Sequence, residues 1–191
     1  MLNAKALSEL LTKNSDERLC KRWYLMTPNG TLLAHTQPSD ARDLRKQVAM
    51  VALSWQEHAQ IPAEPDEASS QTQRQQDLHT LIIESETGNV LVRKIQPQLL
   101  LVLEGGVPPR KPSFEPRVVA EGPEGEPSHD GRSAGSPSTS ISSKADSSMS
   151  TATAGVLALH RRKLDMMAAA IVAEFDQTGF HMPGEGSKQL F

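Results

Sequence analysis

Leu99-Leu100-Leu101-Val102-Leu103 is apolar at five consecutive positions. A strand with one wet face alternates, so this run reads as a strand covered on both faces. A short buried helix is the alternative, and the flanking Pro97 and Gly105-Gly106 favour the strand. Two further strands lead into it. Leu78–Ile83 mixes apolar and β-branched residues, Glu86-Thr87-Gly88-Asn89 supplies turn chemistry, and Val90–Ile95 returns. A strand buried on both faces needs neighbours at both edges and a layer above and below.

The rest of the pattern provides these. Asn3 is placed to cap a first helix, with Leu7, Leu10 and Leu11 as its stripe and Asn14 as its C-cap. Lys21–Met26 and Thr31–His35 flank the turn Thr27-Pro28-Asn29-Gly30 and read as a hairpin. Ser39 is the expected N-cap of a helix running to about His58, with Asp40 and Asp43 at its positive end. Its residues Leu44, Val48, Val51, Ala52 and Trp55 fall on one face. Ala49, Met50 and Leu53 lie opposite, either as a small exposed cluster or as a contact with another chain. Val156, Leu159, Leu164, Met167, Ala168, Ile171, Val172 and Phe175 predict a last helix, ended by Gly179.

Composition changes the picture in two places. Ile61–Gln76 is rich in Pro, Glu and Gln and reads as a loop. Residues 105–154 are Pro/Gly-rich and then Ser/Thr-rich, without periodicity, and are expected to be a disordered insertion, unless Phe114–Ala120 is a short partner-binding motif. Hydrophobic content of 37% and aromatic content of 4% fit a chain folded only in part. Lengthening a loop from about five to about fifty residues costs only about 2 kcal/mol, so the last helix can still dock after the insertion. The expected domain is 1–104 plus 155–180, with 181–191 a flexible tail. The fold class is α/β (α+β): a five-stranded antiparallel sheet between helices, in the order α-ββ-α-βββ-α.

This order resembles the roadblock fold. Met1-Leu2-Asn3-Ala4-Lys5-Ala6-Leu7 through Leu10-Leu11 is similar to the opening of the roadblock subunit of the late-endosomal and lysosomal Ragulator adaptor. Asn29-Gly30-Thr31-Leu32-Leu33-Ala34-His35 matches that family's Asn-x-Gly-x-Leu-Leu-Ala run with one residue fewer, and Asp40-Ala41-Arg42 matches the start of its middle helix. The resemblance covers residues 1 to about 104 and about 155 to 178, and its specificity lies in the order of these pieces. It implies a non-enzymatic scaffold that heterodimerises with a second roadblock protein. The complex would include a lipid-anchored adaptor subunit on the late endosome, lysosome or vacuole, dock Rag-type GTPases and support TOR nutrient signalling. In that family the middle helix and the edge strand after it form the dimer surface, which implies partner-binding roles for Ala49, Met50, Leu53, Leu78, Thr80 and Ile82. A dynein-type roadblock light chain that homodimerises, and a small α/β enzyme or GTPase regulator, are the other readings.

Candidate chemistry is sparse. The net charge of −3 leaves no broad basic footprint for nucleic acid. The six histidines show no metal-binding spacing, the single Cys20 makes neither an internal disulfide nor a cysteine zinc site, and the glycines lack a P-loop context. No cofactor, metal or catalytic residue is expected. His160-Arg161-Arg162-Lys163 reads as a solvated helix face, or as a patch for an acidic partner or headgroups. Without a secretory signal or a spanning apolar run, the expectation is a soluble intracellular protein, peripheral to any membrane it serves. Met1-Leu2 offers no myristoylation glycine and the last residues no prenylation cysteine.

Overall fold

The computed structural model describes residues 2–59, 78–85, 88–106, 117–123 and 147–183. Helix α1 is Ala4–Lys13, strands β1 and β2 are Cys20–Met26 and Leu32–His35, and helix α2 is Ala41–Ala59. Strands β3, β4 and β5 are Thr80–Ser85, Gly88–Gln96 and Leu99–Gly105. Strand β6 is Arg117–Glu121 and helix α3 is Ser147–Thr178. The strands form one sheet in the order β2-β1-β5-β4-β3-β6, and every pairing is antiparallel. The expected mixed α/β architecture, an antiparallel sheet between helices, is therefore the fold.

β5 lies between β1 and β4, and its side chains split between two cores. Leu99, Leu101 and Leu103 face α1 and α3, where they meet Leu7, Leu11, Trp23, Leu25, Leu91, Leu164, Ile171 and Phe175. Leu100 and Val102 face α2, with Tyr24, Met26, Leu44, Val48, Val51, Trp55, Leu81 and Val92. The five residues 99–103 are all fully buried. β1 behaves alike, with Trp23 and Leu25 in one core and Tyr24 and Met26 in the other.

The helix ends show how local chemistry sets the boundaries. Asn3 Oδ1 accepts the Ala6 N–H at 3.1 Å, and Asn14 closes α1 as expected. At α2 the cap is Asp40, whose Oδ1 accepts the N–H of Arg42 at 2.8 Å and of Asp43 at 3.4 Å. Ser39, the expected cap, instead bonds the His35 ring at 3.0 Å. The helix begins at Ala41, and the acidic residue directly before it has the better reach. α3 ends in paired bonds, Phe180 N–H to Phe175 O at 2.9 Å and Gly179 N–H to Asp176 O at 3.4 Å. Gly179 has φ +60, a left-handed conformation that glycine adopts without a Cβ penalty.

Three expectations are corrected. Among the described residues the sheet has six strands, because residues 117–121 of the supposed insertion pair with β3. α3 starts at Ser147, also inside that segment, since nothing between Ser147 and Ala154 breaks a helix. The tail expected from residue 181 is corrected for its first residues. Gln96 Nε2 donates to Phe180 O at 3.0 Å and Gln96 Oε1 accepts the Met182 N–H at 2.8 Å, so β4 holds the chain through Met182. The loop at 61–76, residues 107–116 and 124–146, and residues 184–191 lie outside the described residues.

Leu101→Ala is expected to destabilise the fold by about 2–5 kcal/mol, from lost burial plus the cavity left in a strand with no slack on either face. Denaturant titration measures it, and a loss under about 0.5 kcal/mol would contradict the doubly buried strand.

Candidate interaction surface

α2 has two apolar faces, and the chain uses one. Leu44, Val48, Val51, Ala52 and Trp55 are buried against the sheet. Ala49, Met50 and Leu53 are exposed, with Met50 at 41% and Leu53 at 68%. Ala49 and Leu53 also line a shallow groove of about 370 Å³ between α2 and the β1–β2 turn, with Gly30 and Leu32 on the other wall. Gln56 Nε2 donates to Pro28 O at 3.1 Å and ties the turn to the helix. Arg45 and Asn29 give the groove a polar rim.

The other three expected contact residues are elsewhere. Leu78, Thr80 and Ile82 are buried. Leu78 belongs to the core under α2, and Ile82 to the core under α1 and α3. Thr80 Oγ1 accepts from Arg93 Nη1 at 2.8 Å. β3 is not an edge strand, because β6 pairs with it from Thr80↔Glu121 to Glu84↔Arg117. The structure thus joins Ala49, Met50 and Leu53 in one surface and separates them from Leu78, Thr80 and Ile82. The sequence clue to β6 was the β-branched pair Val118-Val119, too short a run to carry periodicity.

Ion pairs fasten the sheet to its helices. Arg161 of α3 makes a two-pronged pair with the buried carboxylate of Glu121 at the end of β6. Arg93 reaches Asp165 at 3.4 Å. On the α2 side, Arg22 lies 3.5 Å from Glu104 and 3.8 Å from Asp43. Burial raises the Glu104 pKa, and the Arg22 guanidinium opposes that rise. Tyr24 is raised well above the usual phenol value, first by burial and then by the Glu104 charge. The expected solvated basic face at 160–163 is corrected accordingly. Arg161 is paired and His160 is fully buried, leaving Arg162 exposed and Lys163 half-buried.

His160 stands on Gly105. A Cβ built there would lie 2.3 Å from the ring Cε1, so only glycine admits the imidazole. Cys20 pairs with Gly105 across the β1–β5 ladder. Burial pushes the Cys20 thiol up, against the pull of Lys163, which keeps it protonated and a poor nucleophile. Of the remaining described histidines, His35 bonds Thr36 O and Ser39, and His58 bonds Ser54 O. Among the described residues no group of three or more His, Cys, Asp or Glu is placed to hold a metal ion, and no helix is long and apolar enough to cross a membrane.

No protein-family model matches the chain, and no curated protein matches it. Solved structures of roadblock type are similar to it in backbone course. A roadblock/LC7 domain from Streptomyces avermitilis has a TM-score of 0.40 at 12% identity, over 53% of this chain and 76% of that one. The gliding protein MglB from Thermus thermophilus has a TM-score of 0.37 at 14% identity, over 56% of this chain and 76% of that one. A structure of MglB in a tetrameric arrangement has a TM-score of 0.40 at 14% identity, over 91% and 93% of the two chains.

Burial lowers the His160 pKa; the Leu19 backbone opposes the fall, and Lys163 adds to it. The unfolded histidine titrates near 6.5, so below about that pH the unfolded chain binds the extra proton first. The stability that His160 contributes is therefore complete above about pH 6.5 and lost as the pH falls. Glu104, with a raised folded pKa, contributes in the opposite sense, and it does so equally in a His160 variant. Thermal melts from about pH 7.5 to about pH 5.5 are expected to fall more steeply for the natural protein than for His160→Leu. Parallel slopes would show that another group sets the acid sensitivity.

Proposed function

We propose that this chain is a non-enzymatic scaffold of roadblock type, which pairs through the outer face of α2 with a second roadblock-domain protein. The observation that carries the reading is the second apolar face of α2, where Met50 and Leu53 stay exposed although the same helix fully buries its sheet-facing stripe. Covering Leu53 in an interface would contribute roughly 1.5–3 kcal/mol. Ala49 adds almost no side-chain bulk beside it, and the groove toward Gly30 and Leu32 gives a partner side chain somewhere to sit. Because β6 occupies the edge of β3, this pairing with a roadblock partner is assigned to α2 and not to β3.

The more specific reading rests on the sequence resemblance. The matching residues build real parts of the fold: Asn3 caps α1, Asn29 and Gly30 form the β1–β2 turn, and Asp40 caps α2. On that basis the pair belongs to a Ragulator-like complex on the cytoplasmic face of late endosomes, lysosomes or vacuoles. A lipid-anchored subunit would hold the complex to the membrane, and this subunit would help to dock Rag-type GTPases in TOR nutrient signalling.

The double change Met50→Asp with Leu53→Asp tests the pairing. Neither side chain touches the chain's own core, so folding stability is expected to change by no more than about 0.5 kcal/mol each. Burying an unpaired carboxylate in the interface is costly, so affinity purification from the native cell is expected to lose the roadblock partner. Identification of the co-purifying chains by mass spectrometry measures this. Undiminished recovery of that partner would place the interface elsewhere.

A further inference from the structure

β6 ends the sheet. It pairs with β3, and among the described residues no strand lies on its other side. Along such an edge, alternate backbone N–H and C=O groups have no ladder partner. Most edge strands block their own extension with proline, lysine or a bulge. Arg117-Val118-Val119-Ala120-Glu121 contains neither proline nor lysine, and its register with β3 runs without a shift. Val118, at this edge, is an apolar side chain that is 46% exposed.

We infer that β6 is a docking edge for β6 of a second copy of this chain, the two strands running antiparallel about Val119 so that one sheet continues across both copies. The sequence of the strand is complementary to itself. Centred on Val119, Arg117 stands opposite Glu121 of the second copy, Val118 opposite its Ala120, and Val119 opposite its Val119. Directly opposed residues of an antiparallel pair project to the same face. Val119 packs with the core under α1 and α3, and Ala120 with the core under α2. Both ion pairs therefore fall on the α3 side and both Val–Ala contacts on the α2 side, which continues each layer without inverting it. A shift of two residues keeps the faces but pairs fewer residues and sets Arg117 against valine. The centred register alone uses all five residues and opposes unlike charges.

Glu121 is prepared for this role. Arg161 already fixes its carboxylate with both guanidinium prongs, and a carboxylate has lone pairs for a second cation. The contact is isologous, so it closes at two copies. Five residues a side bury little area, so the association is weak and appears only at high protein concentration. It is independent of the α2 face.

Sedimentation of the full chain up to about 0.2 mM is expected to show a reversible monomer–dimer equilibrium in the range of small interfaces. Arg117→Glu sets like charges opposite each other twice across the two copies and is expected to weaken the dimer roughly tenfold; it also faces Glu84 within its own chain, so the melting temperature is expected to fall slightly and the dimer is measured well below it. Val119→Cys is expected to give a disulfide-linked dimer under mild oxidation, since opposed Cα atoms about 4.5–5.5 Å apart lie within disulfide reach. The buried Cys20 does not contribute, and Leu53→Cys, remote from the edge, is expected to give no covalent dimer. Met50→Asp with Leu53→Asp should leave this association intact, which separates it from pairing through α2. A chain that stays monomeric throughout, a dimer indifferent to Arg117→Glu, or a Val119→Cys protein that does not cross-link would each overturn the inference.

Discussion

The burial of β5 on both faces is the constraint on which this molecule is built. Five apolar side chains in a row leave no face for water. Each backbone N–H and C=O along such a strand must also be paired, because unpaired polar groups in that layer would be expensive. β1 and β4 meet the second demand at the two edges, and the helices meet the first. α2 alone covers one face, while α1 and α3 share the other. α3 is separated from β5 by a long stretch of sequence, yet Leu164, Ile171 and Phe175 return to it. The closure entropy of that stretch is modest beside the burial of three large side chains.

What was legible in the sequence follows from which interactions are local. The β5 run, the β1–β2 turn and the buried stripe of α2 each carry their signal within a short stretch of chain. The structure places all three as the pattern predicted. The Asp40 cap was off by one because Ser39 and Asp40 are equally good caps, and the His35 ring decides between them. β6 was invisible for a different reason. Its residues become a strand through the open edge of β3 and the Arg161–Glu121 pair, both of which come from distant parts of the chain. His160 misled in the same way. Its basic neighbours suggest a wet face, and only Gly105, supplied by another element, explains why an imidazole fits inside.

The polar groups that the fold buries are distributed by a consistent logic. Glu121 is buried with the Arg161 guanidinium at hydrogen-bonding reach. Glu104 has Arg22 beside it but at a longer distance, and burial still raises its pKa. His160 has no anion opposite and stays neutral under a lowered pKa. In Glu104 and His160 alike, desolvation outweighs the group that opposes it. None of them opens onto the groove beside α2, so the chemistry of the buried groups belongs to the fold and not to that surface.

The position of β6 then sets which strand forms the sheet edge among the described residues. A sheet edge and a helix face are different kinds of surface. The edge offers directional backbone groups, and specificity comes from the side chains that flank them. The outer face of α2 offers apolar area around Met50 and Leu53, where specificity for the proposed partner would come from shape and from a rim such as Arg45 and Asn29. Had β3 been the edge, both kinds would have come from consecutive elements of the chain. With β6 added, the edge moves outward by one strand and carries its own side chains, Arg117 and Val118, in place of those of β3. A second copy at that edge, as inferred above, would read a segment that belongs to none of the helix–sheet pattern of the rest of the chain. The α2 face keeps the residues that the pattern gave it, and the two surfaces can be altered independently of one another.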